Sequence, residues 1–345
     1  MRPVTEMHEA MLYDRLANGR VRCRVCSHGC VIEPGARGIC AVRENVDGTL
    51  TSLIYGRLIA RDVDPIEKKP LYHFYPGTRA YSIASVGCNF TCLHCQNYYI
   101  SQYPRVHAGR IVGDRIAAEE VVADAVASGC HSIAYTYTEP TVAVEYNLDV
   151  MRLARDAGLC NAWVSNGYFT DKTFAAIAPY LDAINVDLKG ISDRVYREVV
   201  GGNVRPVLDT IERLAEAGIW VEVTTLVIPG VNDTPDALRW TAEAIFGISP
   251  RIPWHVSRFF PAYRMVDRPP TPVETLERAF RIGRETGLRY VYLGNAPGEG
   301  EETRCPKCGE RLIERSGYRI RENRLNEGAC PTCGEPVDGV WFSGG

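Results

Sequence analysis

The segment YSIASVGCNFTCLHCQNYY, residues 81–99, starts as an apolar run and ends in a loop with three cysteines, Cys88, Cys92 and Cys95, spaced C-x3-C-x2-C. The opening YSIASV reads as a strand covered on both faces. The thiols that follow are one short of a structural zinc site and one too many for a disulfide. Were residues 88–95 helical, the three thiols would share one face as ordinary core residues, but Gly87 and the strand end argue for a loop. A zinc ion borrowing His94 would be strained, because His94 lies between two of the thiols. The remaining reading is a [4Fe–4S] cluster held at three corners, with its fourth iron open to a ligand from outside the protein.

Beyond this loop the chain alternates strand and helix signals. HSIAYTY, NAWVSN, DAINVDL, VEVTTLVI, PWHVSRFF and RYVYLGN read as strands. Between them AAEEVVADAVASG, YNLDVMRLARDAGL, DKTFAAIAPYL, VRPVLDTIERLAEAG and PDALRWTAEAIFG read as amphipathic helices, several closing in Gly129, Gly158 or Gly218. Repeated βα units of this size predict an α/β protein built as a partial (β/α)6-type TIM barrel. A doubly wound open sheet competes, but no GxGxxG follows the first strand.

Composition sets outer limits. The 345 residues suffice for one large core plus small modules, and a net charge of −3 gives no reason to expect a general nucleic-acid binder. MRPVTEMHEAMLYDRLANGR lacks the apolar core of a signal peptide, and no run of about 18 apolar residues offers a membrane span. The expected location is cytoplasmic, without membrane association. In a reducing compartment, 13 cysteines read as metal ligands rather than disulfides, and eleven of them cluster. Cys130 and Cys160 stand alone and read as small buried hydrophobes. The expected division is a Cys-rich extension with a β-hairpin at TLTSLIYGRLIARDV (1–80), the barrel (81–296), a Gly- and Glu-rich linker within 294–303, and a small module (303–345).

In parallel barrels chemistry sits on the loops after the strands. That rule selects Glu139 in TYTEP, Ser165 and Asn166 in SNGY, Asp187 and Lys189 in DLKG, the loop IPGVND, and His255 with Arg258. Asp187 and Lys189, two apart on a strand end, point to one side. Each has a plainer reading: Glu139 as an exposed strand-end acid, Asp187–Lys189 as a structural ion pair, His255 as a satisfied core histidine.

The C-x3-C-x2-C loop at the end of a first strand resembles the radical S-adenosylmethionine (SAM) superfamily. That resemblance implies that S-adenosyl-L-methionine chelates the open iron and is cleaved reductively to methionine and a 5′-deoxyadenosyl radical, which takes hydrogen from a substrate. Among its members, the chain is similar to pyruvate formate-lyase activating enzymes. The likeness implies SAM contacts by Glu139, Ser165, Asn166, Asp187, Lys189 and His255. Departures are His94 where an aromatic hydrophobe is usual, Val164 where an aspartate is usual, and Thr224 in place of an arginine. VRCRVCSHGC, VDPIEKKPLYHFYPG, YTYTEPTV and YVYLGN together resemble the AmmeMemoRadiSam-system radical SAM enzymes. Implied partners are a one-electron donor such as flavodoxin or ferredoxin, an unknown small-molecule or polypeptide substrate, and AMMECR1-like and Memo-like proteins. Activation of a glycyl-radical enzyme is one alternative; a non-catalytic metal-dependent docking or RNA-binding protein is another.

Two outer cysteine sets remain. Cys305, Cys308, Cys330 and Cys333 form two Cys-Pro-x-Cys-Gly knuckles, a zinc-ribbon signature for Zn2+. Cys23, Cys26, Cys30 and Cys40, spaced C-x2-C-x3-C-x9-C, admit structural zinc, an auxiliary iron–sulfur cluster or free thiols, with His28 a substitute ligand.

Overall fold

A computed structural model of the chain describes residues 8–296 and 300–342. Residues 1–7 of the N-terminal stretch and part of the expected linker at 294–303 lie outside them. Two compact units divide the chain: Met1–Val63 with Ala80–Asp182, and Asp64–Arg79 with Ala183–Gly345. The expected domain boundaries follow the sequence; these units follow packing, and the short 64–79 segment folds with the second.

In the first unit, strands β1 (Arg79–Ala84), β2 (Ser132–Tyr135) and β3 (Cys160–Ser165) pair in parallel and in chain order. Their side chains are almost wholly buried, which is why the runs are apolar without alternation. Helices α1 (Ala118–Ala127) and α2 (Val144–Asp156) make the crossovers, and α2 buries Val144, Leu148 and Met151 at helical spacing. Gly129 and Gly158 follow α1 and α2 at φ of 61° and 75°, the left-handed conformation that ends each helix without a Cβ clash. After β3, Thr170 caps α3 (Asp171–Ile177) by accepting from Thr173 N.

The N-terminal extension departs from expectation. Thr49–Ser52 pairs with Arg43–Val46, not with the later part of TLTSLIYGRLIARDV, while Arg57–Leu58 pairs with Asp114–Arg115. The turn sits one step earlier, at Asp47-Gly48, where both residues have positive φ as a tight hairpin requires. A second small sheet joins Tyr13–Arg15, Val21–Cys23 and Val31–Ile32.

In the second unit, β4 (Ala183–Asp187), β5 (Trp220–Val227), β6 (Trp254–Arg258) and β7 (Val291–Gly294) are again parallel and in chain order. Helices α4 (Arg205–Glu216) and α5 (Pro235–Ile248) were expected; α6 (Val273–Thr286) was not. The fold is thus α/β with mostly parallel strands. The segment before β1 is more buried than its loop-like sequence suggests: Lys69 Nζ pairs with Asp64 at 2.6 Å, both side chains nearly inaccessible. The C-terminal sheet (Thr303–Arg304, Arg311–Ser316, Arg319–Asn323) shares a core with the rest of the unit. Leu312, Ile313 and Val337 pack with Tyr72, Tyr290 and Tyr292, so this module draws on apolar surface beyond its own.

Candidate functional site: a three-cysteine loop tied to the ends of β2 and β3

Gly87 opens the cysteine loop at a φ of 98°, and a Cβ there would lie 2.5 Å from Val42 Cγ1, so the turn requires glycine. Cys92 is buried, Cys88 and Cys95 half-buried. Phe90 N donates to Cys88 Sγ at 3.4 Å, and Cys95 Sγ lies 3.2 Å from Ser101 Oγ. Burial, reinforced by the charge of Glu139, pushes the Cys88 thiol well above its ordinary range.

Glu139 is buried at the end of β2 with both carboxylate oxygens engaged. Oε1 accepts from Thr141 N (3.0 Å), Thr141 Oγ1 (2.5 Å) and Ser165 Oγ (2.8 Å); Oε2 accepts from Asn166 N (2.8 Å). Burial still raises its pKa. Asn166 continues the chain of bonds: Nδ2 donates to Asn89 Oδ1 at 2.7 Å and stands 4.0 Å from Cys88 Sγ. The structure therefore brings Glu139, Ser165, Asn166 and Cys88 into one network.

Asp187, Lys189 and His255 belong to the second unit. Lys189 Nζ donates to Asp187 Oδ2 at 3.0 Å, so the expected pair forms; its members are partly exposed. His255 is buried, and its Nε2 meets Glu222 Oε2 at 2.6 Å. Glu222 also accepts from Tyr72 N, His73 N and Trp220 Nε1. Burial works against that carboxylate, but the bond and charge of His255 outweigh it and hold the pKa below the usual range.

In the C-terminal module, Cys305 Sγ lies 3.6 Å from Cys333 Sγ, and Cys308 Sγ 3.7 Å from Cys330 Sγ. Bonds of about 2.3 Å to one tetrahedral ion set sulfurs about 3.8 Å apart, so this set fits a single metal ion. Among the described residues it alone has all its ligand atoms within 4.8 Å of one another. Of the solitary cysteines, Cys130 is buried as expected, while Cys160 is half-buried, 3.9 Å from His131.

Sequence reasoning missed three residues. Asn89, between two cysteines, carries no signal of its own in the sequence. Arg105, seventeen residues past Cys88, donates to the carbonyls of Cys88 and Phe90, and no local pattern marks it. Glu222 was passed over as one polar residue in an apolar strand; polarity on a fully buried strand was its only signal.

The family description "Radical SAM superfamily" matches residues 82–240. An uncharacterized protein of Methanocaldococcus jannaschii is 44% identical over 336 residues, 96% of this chain and 99% of its own. The pyruvate formate-lyase-activating enzyme of Clostridium pasteurianum is 22% identical over 47% of this chain and 67% of its own. Among solved structures, Streptococcus suis SuiB bound to S-adenosylmethionine aligns with a TM-score of 0.50 at 12% identity, covering 67% of this chain and 53% of that one. No described helix is long and apolar enough to cross a membrane.

Proposed function

Because this chain belongs to the radical SAM superfamily, we propose that it is a radical-generating enzyme whose [4Fe–4S] cluster is held by Cys88, Cys92 and Cys95. The single observation that carries the reading is the bonded path from Cys88 through Asn89 and Asn166 to Glu139. When bound, cluster and S-adenosylmethionine together supply one-electron cleavage to methionine and a 5′-deoxyadenosyl radical. The chain's own residues position and shield. Glu139, its acceptor sites filled by four donors, fixes Ser165 and Asn166, and Asn166 in turn fixes the loop. Lys189, oriented by Asp187, carries the charge to receive the methionine carboxylate. A one-electron donor of the flavodoxin or ferredoxin class is the partner this chemistry needs. A zinc ion in the Cys305 set would brace the C-terminal module.

Several relatives are named as activating enzymes, so a polypeptide that acquires a glycyl radical is one substrate class to test. The decisive experiment is anaerobic incubation of the reconstituted protein with dithionite and S-adenosylmethionine. Release of 5′-deoxyadenosine is expected. None from a sample with intact cluster would favour a structural, non-catalytic role.

A further inference from the structure

The four N-terminal thiols also converge. Cys23, Cys26, Cys30 and Cys40 line one largely enclosed cavity, walled in part by Val142 and Arg43. Their sulfurs are not drawn together as those of the C-terminal set are. One zinc ion with bonds of about 2.3 Å needs that tighter spacing, whereas a multi-iron cluster spreads its thiolates wider.

Arg43 supplies the second observation. Its side chain is 2% exposed, with Nη1 and Nη2 committed to Glu145 and Val142 O. Its Nε is buried with no hydrogen-bond partner, on a side chain that lines the cavity. A buried donor left without an acceptor is costly, and an anionic cluster bristling with sulfur acceptors would satisfy it.

Placement supplies the third. Arg105 Nη2 donates to both Ile39 O and Cys88 O at 2.6 Å, so carbonyls beside Cys40 and at Cys88 are at most about 5 Å apart. His28, between Cys26 and Cys30, bonds through Nε2 to Asn89 O at 2.9 Å.

We propose that Cys23, Cys26, Cys30 and Cys40 hold a second iron–sulfur cluster, complete in its protein ligands, which passes electrons singly to the cluster on the three-cysteine loop. The binding site stands on the cavity and Arg43, independent of the loop; the relay role rests on the reading of the loop given above. In the relay, a low-potential donor of the flavodoxin or ferredoxin class reduces the N-terminal cluster by one electron. That electron moves to the loop cluster and the first returns to its oxidised state, with no bond made or broken.

The test uses the full chain, purified and reconstituted without oxygen. In the Cys88→Ala/Cys92→Ala/Cys95→Ala variant, about half the wild-type iron and sulfide should remain, with a reduced-state electron-spin signal indifferent to S-adenosylmethionine. A variant left with zinc and no iron overturns the proposal. Iron undiminished from wild type contradicts instead the reading of the loop. Conversely, Cys26→Ser/Cys30→Ser should keep a loop cluster that responds to S-adenosylmethionine while 5′-deoxyadenosine formation from reduced flavodoxin slows about tenfold or more. An unchanged rate overturns the relay. Should that pair fail to fold, Cys40→Ser makes the same comparison.

Discussion

Asn166 Nδ2 donates to Asn89 Oδ1 at 2.7 Å, and this bond fastens the end of β3 to the residue beside Cys88, the first cysteine of the loop. Both side chains are buried, so neither can exchange its partner for water. Asn166→Ala should loosen the loop at a cost of about 1–3 kcal/mol, the penalty of stranding a buried amide. The check is iron loss under a chelator, which should quicken while the far-UV spectrum holds.

Glu139 accepts four hydrogen bonds from donors only. Glu139→Gln swaps one accepting oxygen for an NH2 that must face an N–H or O–H donor. Cluster content should fall more than in a neighbouring exposed Glu→Gln control such as Glu119→Gln, as measured by iron and sulfide per chain.

Arg43 and Glu145 form a bidentate pair with side chains 2% and 3% exposed. Burial alone would raise the Glu145 pKa, but the charge and hydrogen bonds of Arg43 outweigh it and leave the pKa below its ordinary 4.5. A depressed carboxylate adds stability above its unfolded value that is lost as pH falls through the folded one. Thermal stability should therefore drop as pH descends below about 4.5. Glu145→Gln should flatten that limb and cost about 3–5 kcal/mol at neutral pH, because the buried Arg43 loses its carboxylate partner.

Lys189 donates to Asp187 at a partly exposed site, a pair worth about 1 kcal/mol or less to folding. Lys189→Ala should leave melting temperature and iron content nearly unchanged. Calorimetry should show S-adenosylmethionine affinity weakened about tenfold or more, the value of one charged hydrogen bond. A variant that unfolds instead marks the pair as structural.

Cys305–Cys333 and Cys308–Cys330 sulfur distances fit one tetrahedral ion. The purified chain should carry one zinc removable by a strong chelator. Removal should lower the melting temperature without abolishing folding, because Leu312 and Ile313 keep their packing on Tyr72 and Tyr292.

The seven main strands were legible because each is an apolar run bounded by turn residues, and that signal survives without knowledge of partners. Helix α6 was not, because RPPTPV ahead of it reads as loop and Gly283 interrupts its pattern. Gly283 is there for packing: a Cβ would lie 2.9 Å from Val291 Cγ2 and 3.0 Å from Trp254 Cε3. The cysteine loop announced itself by the spacing of Cys88, Cys92 and Cys95 alone. The role of Arg105 did not, since its carbonyl partners lie 15 to 66 residues away, and His28, expected as a substitute ligand, bonds Asn89 O across 61 residues. His255 was legible as a residue, but its bond to Glu222, 33 positions distant, appears only in the fold.

The most direct measurement is the electron-spin spectrum of the reduced, oxygen-free protein with and without S-adenosylmethionine, using the Cys26→Ser/Cys30→Ser variant to isolate the loop cluster. Three thiolates and an open iron predict a clear change in signal when the sulfonium compound is added. A spectrum that does not move, with a protein side chain shown by hyperfine coupling to occupy the fourth iron, would contradict the assignment of Cys88, Cys92 and Cys95.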